Sequence, residues 1–174
     1  MSSMVSNKSA VEDIDLDEKK EKYHVGIAWI FFIIYMIFLM YFLFFAEITG
    51  RTYVDRDYHY NLVPFREIKR FIRYRESLGW FAVGTNLFGN VIAFLPYGAI
   101  LPILIKKSRN FFRITLYSFE FSLFVEIVQL VSKVGSFDVD DLFLNTLGGA
   151  VGYLIFLLIC HFGREKYEKT KKTL

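Results

Sequence analysis

The chain has 174 residues, of which 54% are hydrophobic and 20 are Phe, and its mean hydropathy is +0.34. This apolar content exceeds what a soluble domain of this size needs, so the sequence indicates a membrane protein with room for one helical domain. Basic and acidic residues number 21 and 18, and they fall in blocks between apolar runs, so the net charge of +3 gives no reason to expect nucleic acid as a partner. The single cysteine, Cys160, excludes an intramolecular disulfide and a cysteine-based zinc cluster.

Four apolar runs of about 20 residues match the thickness of a bilayer core. They cover residues 27–46 and, roughly, 86–105, 112–131 and 141–162. The first run follows a polar head that is unlike the short basic start of a signal peptide, so we expect it to be a retained anchor. The sequence therefore predicts an all-α integral membrane protein with four transmembrane helices.

The distribution of Lys and Arg between these runs predicts the orientation. With both termini in the cytoplasm, 13 basic residues lie on the inner side and 8 on the outer side, which is the sense of the positive-inside rule. We expect a cytoplasmic polar tail at 1–26, a transmembrane domain at 27–162 and a basic cytoplasmic tail at 163–174. Membrane lipid is the first partner that this organisation implies.

Seven of the eight outer basic residues lie between the first two runs, where "NLVPFREIKRFIRYRESLGW" occupies residues 61–80. We interpret this stretch as an amphipathic helix that lies on, or dips into, the outer leaflet. Pro64 suits a first helical turn, and Phe65, Ile68 and Ile72 would share the apolar face. An ordinary polar loop is the alternative.

Two further features concern helix shape and packing. Pro96 and Pro102 lie in the second run and should kink it, because each ring removes a main-chain donor. The "GGAVG" of the fourth run spaces Gly148 and Gly152 four residues apart, so another helix can approach closely. Packing within the chain is the simpler use of this motif, and a homo-oligomer sealed there is the alternative.

Polar side chains recur at the predicted outer ends of the second, third and fourth spans. Most are paired three or four positions apart, and so share one helix face. Buried polar groups in a membrane normally face the bundle or a wet cavity, so we expect these residues to form an outward-facing binding site. The set is Asn86, Asn90, Glu126, Gln129, Asp138, Asp140, Asp141 and Asn145.

Three interpretations stand beside this hypothesis. The aspartates could simply begin a helix, since Asp is favoured at helix N-termini. Basic residues of the outer segment could fold over the acids as a lid. Glu120, near the middle of the third span, should either carry a proton or find a hydrogen-bond partner inside the bundle, and the second role is favoured. The candidate lid residues are Arg66, Lys69, Arg70, Arg73 and Arg75.

Carboxylates and amide oxygens are ligands that Mg²⁺ or Ca²⁺ prefers, so a divalent cation that holds a phosphate group is one chemistry for such a site. Two carboxylates with different pKa values could instead act as acid and base. No nucleophile elbow, HExxH motif or phosphate-cradling loop is found, and His59 is a weak acid-base candidate. Spacing alone leaves the chemistry open.

Four blocks in this order resemble the VanZ-like family, over about residues 27–160. They are "NLVPF" (61–65), "NLFGNVIAFLPYG" (86–98), "EIVQL" (126–130) and "DVDDLFLNTLGGAVGY" (138–153). The match adds Asn61, Pro64 and Phe65 to the expected site as a supporting outer segment, and the lid hypothesis adds Arg66 and Arg70 to it. The chain departs from the pattern at Ser136 and Phe137, where many members carry a Gly-Arg pair.

The resemblance implies a small multi-pass protein of the bacterial plasma membrane, mainly in Gram-positive bacteria, with a link to teicoplanin resistance or cell-envelope physiology. Its partners would be a teicoplanin-type antibiotic or a lipid-linked cell-wall precursor. An intramembrane enzyme that modifies a lipid-linked envelope component at an acidic site, with or without a metal, is the alternative from a different class. A transporter is a third and weaker one.

Overall fold

The computed structural model describes residues 2–50 and 58–173, and their side chains within 19–44 and 58–165 except at positions 21 and 82. Six α-helices, two short strands and one 3₁₀ turn follow each other along these residues. They are α1 (Ser2–Gly50), β1 (Tyr60–Asn61), α2 (Arg66–Arg73), α3 (Arg75–Leu78), α4 (Trp80–Leu104), the turn Lys106–Ser108, α5 (Phe111–Ser132), β2 (Phe137–Asp138) and α6 (Val139–Thr173).

Helices α1, α4, α5 and α6 each contain a stretch long and apolar enough to cross a membrane. These stretches are Lys22–Phe44, Val83–Leu104, Phe111–Ser132 and Val139–Glu165. This confirms the prediction of an all-α membrane protein with four transmembrane helices. Both prolines of the second span lie inside α4, which continues as one helix to Leu104.

The closest helix packing joins α4 to α6 through glycines. A Cβ atom on Gly148 would lie 2.3 Å from the carbonyl oxygen of Val91, and one on Gly152 would lie 2.1 Å from that of Leu95. Such distances exclude any side chain, so both glycines let the two backbones touch. The motif therefore packs within one copy of the chain, which is the simpler use expected for it, whereas a homo-oligomer stays a prediction.

Helix α1 is tied to the bundle by apolar contacts and two polar ones. Leu39 and Leu43 pack in a buried cluster with Phe94 and Val125. The Tyr35 hydroxyl donates to the carbonyl of Ala93 over 2.7 Å, and the Gln129 amide donates to the carbonyl of Leu43 over 2.9 Å. These two bonds help to fix the register of α1 against α4 and α5.

A two-residue parallel strand pair, which the sequence analysis did not predict, joins the segment before α2 to the start of α6. Tyr60 pairs with Phe137 and Asn61 pairs with Asp138. The N–H of Phe137 donates to the carbonyl of His59 over 3.1 Å. This pairing anchors the 58–79 segment at the end of the bundle where α4 and α6 begin and α5 ends.

The segment 66–78 is helical, as predicted, but its start and its faces differ from the prediction. Pro64 precedes the helix, in a turn closed by a 3.3 Å bond from the Arg66 N–H to the carbonyl of Val63. Ile68 and Phe71 face the bundle, whereas Phe65 and Ile72 are about half exposed. The tertiary contact, rather than the helix periodicity alone, selects which apolar side chains turn inward.

Of the two expectations for Glu120, a hydrogen-bond partner inside the bundle is wrong. Its side chain is exposed on α5 and forms no hydrogen bond or ion pair within the described residues. The buried face of α5 carries Ser118, Ser122 and Glu126 instead. A carboxyl group at mid-span is therefore turned away from the bundle.

A polar cavity beneath helix α2

A cavity of about 650 Å³ lies between α2 and the adjoining ends of the transmembrane helices. All eight polar residues predicted from the three spans line it, although their function stays a prediction. From the outer segment, Arg70 lines it as well. The remaining polar lining comes from Glu67, Thr85 and Ser136, and the apolar lining includes Phe42, Leu43, Ile68, Phe71, Leu87 and Leu144.

Asp138 begins α6 and joins it to strand β1. Its Oδ1 accepts the main-chain N–H of Asp140 over 2.8 Å, which is the bond of a helix N-cap. The same oxygen accepts the Asn61 amide over 3.1 Å. The expectation that one aspartate starts a helix therefore applies to Asp138, and Asn61 supports the site by holding this carboxylate.

Asp140 caps a different helix from its own. Its carboxylate accepts the main-chain N–H groups of Phe65, Glu67 (2.8 Å) and Ile68 (3.2 Å), which are the free donors at the start of α2. Phe65, the residue before α2, forms no side-chain cap of its own. A carboxylate from α6 thus satisfies three donors of α2 and meets the positive end of its helix dipole.

Phe65 adopts a left-handed backbone conformation at this junction, with φ of 62°. That conformation is costly for a residue with a large side chain, by about 1–3 kcal/mol. Two contacts hold it: its N–H donates to Asp140, and its ring stacks on Phe143 with ring centres 6.1 Å apart. The turn at Pro64 and Phe65 is therefore stabilised by α6 on both its main chain and its side chain.

The basic side chains predicted to form a lid do not pair with Asp138 or Asp140 within the described residues. Within the described residues, Asp138 and Asp140 form no salt bridge, and main-chain amides replace the expected arginines at Asp140. Arg70 pairs with Glu67 of its own helix over 2.7 Å. Arg66 and Arg73 are exposed. The segment covers the acids as expected, but the helix N-terminus makes the contact.

The remaining carboxylates also hold neighbouring elements. Glu126 accepts the main-chain N–H of Asp138 over 2.9 Å, which links α5 to β2. Asp141 accepts a hydrogen bond from the Asn90 amide, which links α6 to α4. The four acids therefore connect α2, α4, α5 and α6 at one end of the bundle.

Asn145 differs from the other polar residues because one of its atoms is left over. Its side chain is 1% exposed, and its amide donates to the Ser122 hydroxyl over 2.9 Å. Its Oδ1 accepts no hydrogen bond from the described part of the chain. A buried acceptor without a donor is costly, so a ligand donor that reached this oxygen from the cavity would be stabilised there.

Burial raises the pKa of the Asp138 carboxyl above its ordinary value of 3.8. The charges of Asp140 and Glu67 act in the same direction, whereas the bonds from the Asp140 N–H and the Asn61 amide oppose it. Both of those bonds end on Oδ1. A proton on Oδ2 is therefore compatible with them.

The donor set does not fit the expected divalent cation. Among the described residues, no three His, Cys, Asp or Glu side chains converge in an arrangement that could hold a metal ion. Asp138 and Asp140 use their oxygens to accept N–H groups. His59, the weak acid-base candidate, lies outside the cavity lining.

Several lining residues escaped the sequence analysis. The apolar wall from α1, α2 and α6 carries no motif, and it becomes visible once α2 is placed over the bundle. Ser122, which holds the Asn145 amide without lining the cavity, was missed as well. It lies four residues before Glu126 on the same face of α5. That spacing is the signal that could have found it.

Comparison with known proteins shows which family the chain belongs to. The VanZ/LLP1 family model matches residues 32–160, which is most of the chain and includes every residue of the site described above. The chain belongs to the VanZ/LLP1 family. The chain is similar to "Protein VanZ" of Enterococcus faecium, to which it is 29% identical over 110 residues. The aligned part is 63% of this chain and 60% of the relative, and no solved structure matches the chain.

Proposed function

We propose that this VanZ-family protein lies in the bacterial plasma membrane with both termini in the cytoplasm. Its cavity opens at the outer leaflet and binds the polar head of a membrane amphiphile. Through that binding it contributes to teicoplanin resistance or to another process of the cell envelope. The single observation that carries the proposal is the buried Asn145 Oδ1, which has no donor among the described residues, on a residue that lines a cavity under an amphipathic helix.

The charge distribution supports this orientation. The loop 106–113 and the two terminal segments hold 13 of the 21 basic residues. The cavity lies at the opposite end of the bundle, where α5 ends and α6 begins. By the positive-inside rule, that end faces away from the cytoplasm. Lipid-linked precursors of the cell wall and teicoplanin meet on that side of the membrane.

The shape and chemistry of the cavity support a head group with an attached chain. A volume of about 650 Å³ lies within the usual range of small-molecule sites and suits part of an amphiphile rather than a whole glycopeptide. Asn145 offers an acceptor, so the head group should carry an N–H or O–H donor. Phe42, Leu87 and Leu144 provide apolar contacts for the start of an acyl or prenyl chain.

The enzyme alternative has less support from the same geometry. A carboxylate that exchanges a proton with a substrate must be free to reach it, whereas Asp138 and Asp140 are occupied by helix N-termini. Replacing either one with a side chain that cannot accept these hydrogen bonds would detach an element, so a loss of activity would have a structural cause. A test must therefore change the cavity without changing these caps.

A pair of tryptophan substitutions provides that test. Leu144 lines the cavity on α6, and Leu147, one turn further on the same helix, is exposed. We expect Leu144→Trp to abolish the shift in teicoplanin inhibition that the wild type confers on a sensitive Gram-positive host, and Leu147→Trp to keep it. Vancomycin inhibition and membrane levels of each variant serve as controls. Equal effects of the two substitutions would contradict the cavity proposal. A wild type that leaves teicoplanin inhibition unchanged would contradict it as well.

A further inference from the structure

The donors that line the cavity beneath helix α2 are largely used within the chain. The amides of Asn90, Gln129 and Asn145 and the hydroxyl of Thr85 line it, and each donates to another group of the protein. A head group that needs donors, such as a phosphate or a carboxylate, therefore meets side chains that are already engaged.

Two buried acceptors of the lining are left over. Asp138 is 8% exposed and accepts both of its hydrogen bonds on Oδ1, so its Oδ2 accepts none from the described residues. Asn145 Oδ1 likewise has no donor in the described part of the chain. The two residues are seven positions apart, which is about two turns of a helix. The start of α6 thus offers acceptors at two levels of the cavity.

The lining is also acidic. Among the described residues it holds the carboxyl groups of Glu67, Glu126, Asp138, Asp140 and Asp141 and, as its basic group, the guanidinium of Arg70. Arg70 pairs with Glu67 over 2.7 Å. Burial, together with the charges of Asp140 and Glu67, raises the pKa of Asp138. Because a buried charge is stabilised by an opposite one, this lining favours a positively charged ligand.

We propose, resting on the function proposed above, that the head group bound in this cavity carries a primary ammonium, which donates to Asp138 Oδ2. The ligand class is therefore an amino-bearing lipid. An ammonium has three N–H donors and no acceptor, so it matches a lining whose donors are used and whose acceptors remain. A hydroxyl would satisfy an acceptor but leave the charge uncompensated. A metal ion needs several ligands at fixed distances, and no such group exists among the described residues.

Three photoactivatable amphiphiles test this chemistry on the full chain in vesicles of phosphatidylcholine, whose head group has no N–H donor. They share one alkyl chain with a diazirine beside the head, and they end in a primary amine, a hydroxyl or a carboxylate. At equal probe content of the vesicles, we expect the amine probe to label the cavity lining at least about 10-fold more than the others, the effect of one charge-assisted hydrogen bond. Mass spectrometry of the labelled peptides locates the contact.

The control Leu144→Trp, which fills the cavity, separates this inference from the binding proposal. Equal labelling by the three probes, removed by Leu144→Trp, would overturn the ammonium inference and leave the binding proposal intact. Preferential labelling by the hydroxyl or carboxylate probe would do the same. Labelling of the lining that Leu144→Trp does not reduce would overturn both.

Asp138→Asn tests the assigned contact. The variant keeps an oxygen for the Asn61 amide and the Asp140 N–H, and it replaces Oδ2 with an NH₂ group. We expect labelling by the amine probe to fall at least about 10-fold and labelling by the hydroxyl probe to stay the same, which checks that the cavity is intact. Glu76→Gln removes the same charge from an exposed side chain outside the lining and should change neither. Unchanged amine labelling in Asp138→Asn, or equal loss in Glu76→Gln, would overturn the proposal.

Discussion

The carboxylate of Asp140, in the first turn of α6, accepts the main-chain N–H of Phe65, which lies 75 positions earlier in the chain. Through this bond and two more, one helix start caps another. The acids that look like a reactive cluster in the sequence therefore hold α2, α4, α5 and α6 together by hydrogen bonds. They position α2 over the cavity, so any function of the cavity depends on them even where they touch no ligand.

Asp140→Asn should release the start of α2. An amide offers one acceptor oxygen in place of two and turns an NH₂ group toward an N–H donor, so we expect a loss of about 2–4 kcal/mol in the local opening free energy. Hydrogen exchange at the amides of Phe65, Glu67 and Ile68 should accelerate by at least about 30-fold. Asp141→Asn is the matched control, because its remaining oxygen can still accept the Asn90 amide. Similar exchange in the two variants would contradict the assigned cap.

Gly152→Ala should destabilise the packing of α4 on α6. The added methyl group would lie 2.1 Å from the carbonyl oxygen of Leu95, and main chain cannot move aside cheaply. A loss of about 1–3 kcal/mol or more is expected. Gly84→Ala is the control, since a Cβ atom there meets nothing within 4 Å. It should be neutral or stabilise by up to about 1 kcal/mol. Thermal unfolding in detergent compares them, and equal melting temperatures would refute the close contact.

The raised pKa of Asp138 predicts a pH dependence of stability. The folded state binds this proton more tightly than the unfolded state, whose pKa is near 3.8. The cost of burying the charged form is therefore absent below that pH and grows as the pH rises through the folded-state pKa. Opening of the 58–79 segment, followed by hydrogen exchange, should increase over this window. Asp138→Asn, which keeps an acceptor for Asn61 and for the Asp140 N–H, should flatten the profile, and an unchanged slope would exclude Asp138 as its source.

Glu126 separates the binding proposal from catalysis. Glu126→Gln keeps an oxygen that can accept the Asp138 N–H, so the joint between α5 and β2 should survive. We expect this variant to retain most of the wild-type effect on teicoplanin inhibition, and Glu126→Ala to lose it by detaching β2. Complete loss in the Gln variant, at wild-type stability and membrane level, would favour an acid-base role and the enzyme alternative.

The sequence was sufficient for the helices and for the composition of the polar site. The apolar runs have the length of a bilayer, and polar residues three or four apart on three spans can only meet if those helices pack side by side. The spacing of Gly148 and Gly152 likewise indicated close packing. These features are local or periodic, and periodicity is what a sequence displays directly.

Tertiary structure alone decided how the polar groups are used. Asp138 caps α6, Asp140 caps α2, and Asn145 has one oxygen without a donor among the described residues, although all three belong to one short stretch. Glu120 and Glu126 lie on one helix, yet one is exposed and the other buried. The partners come from residues far away in the chain, and the short β1–β2 pair sets their register. Hydrogen bonding depends on distances of a few tenths of an ångström, and only the folded arrangement of helices fixes those distances.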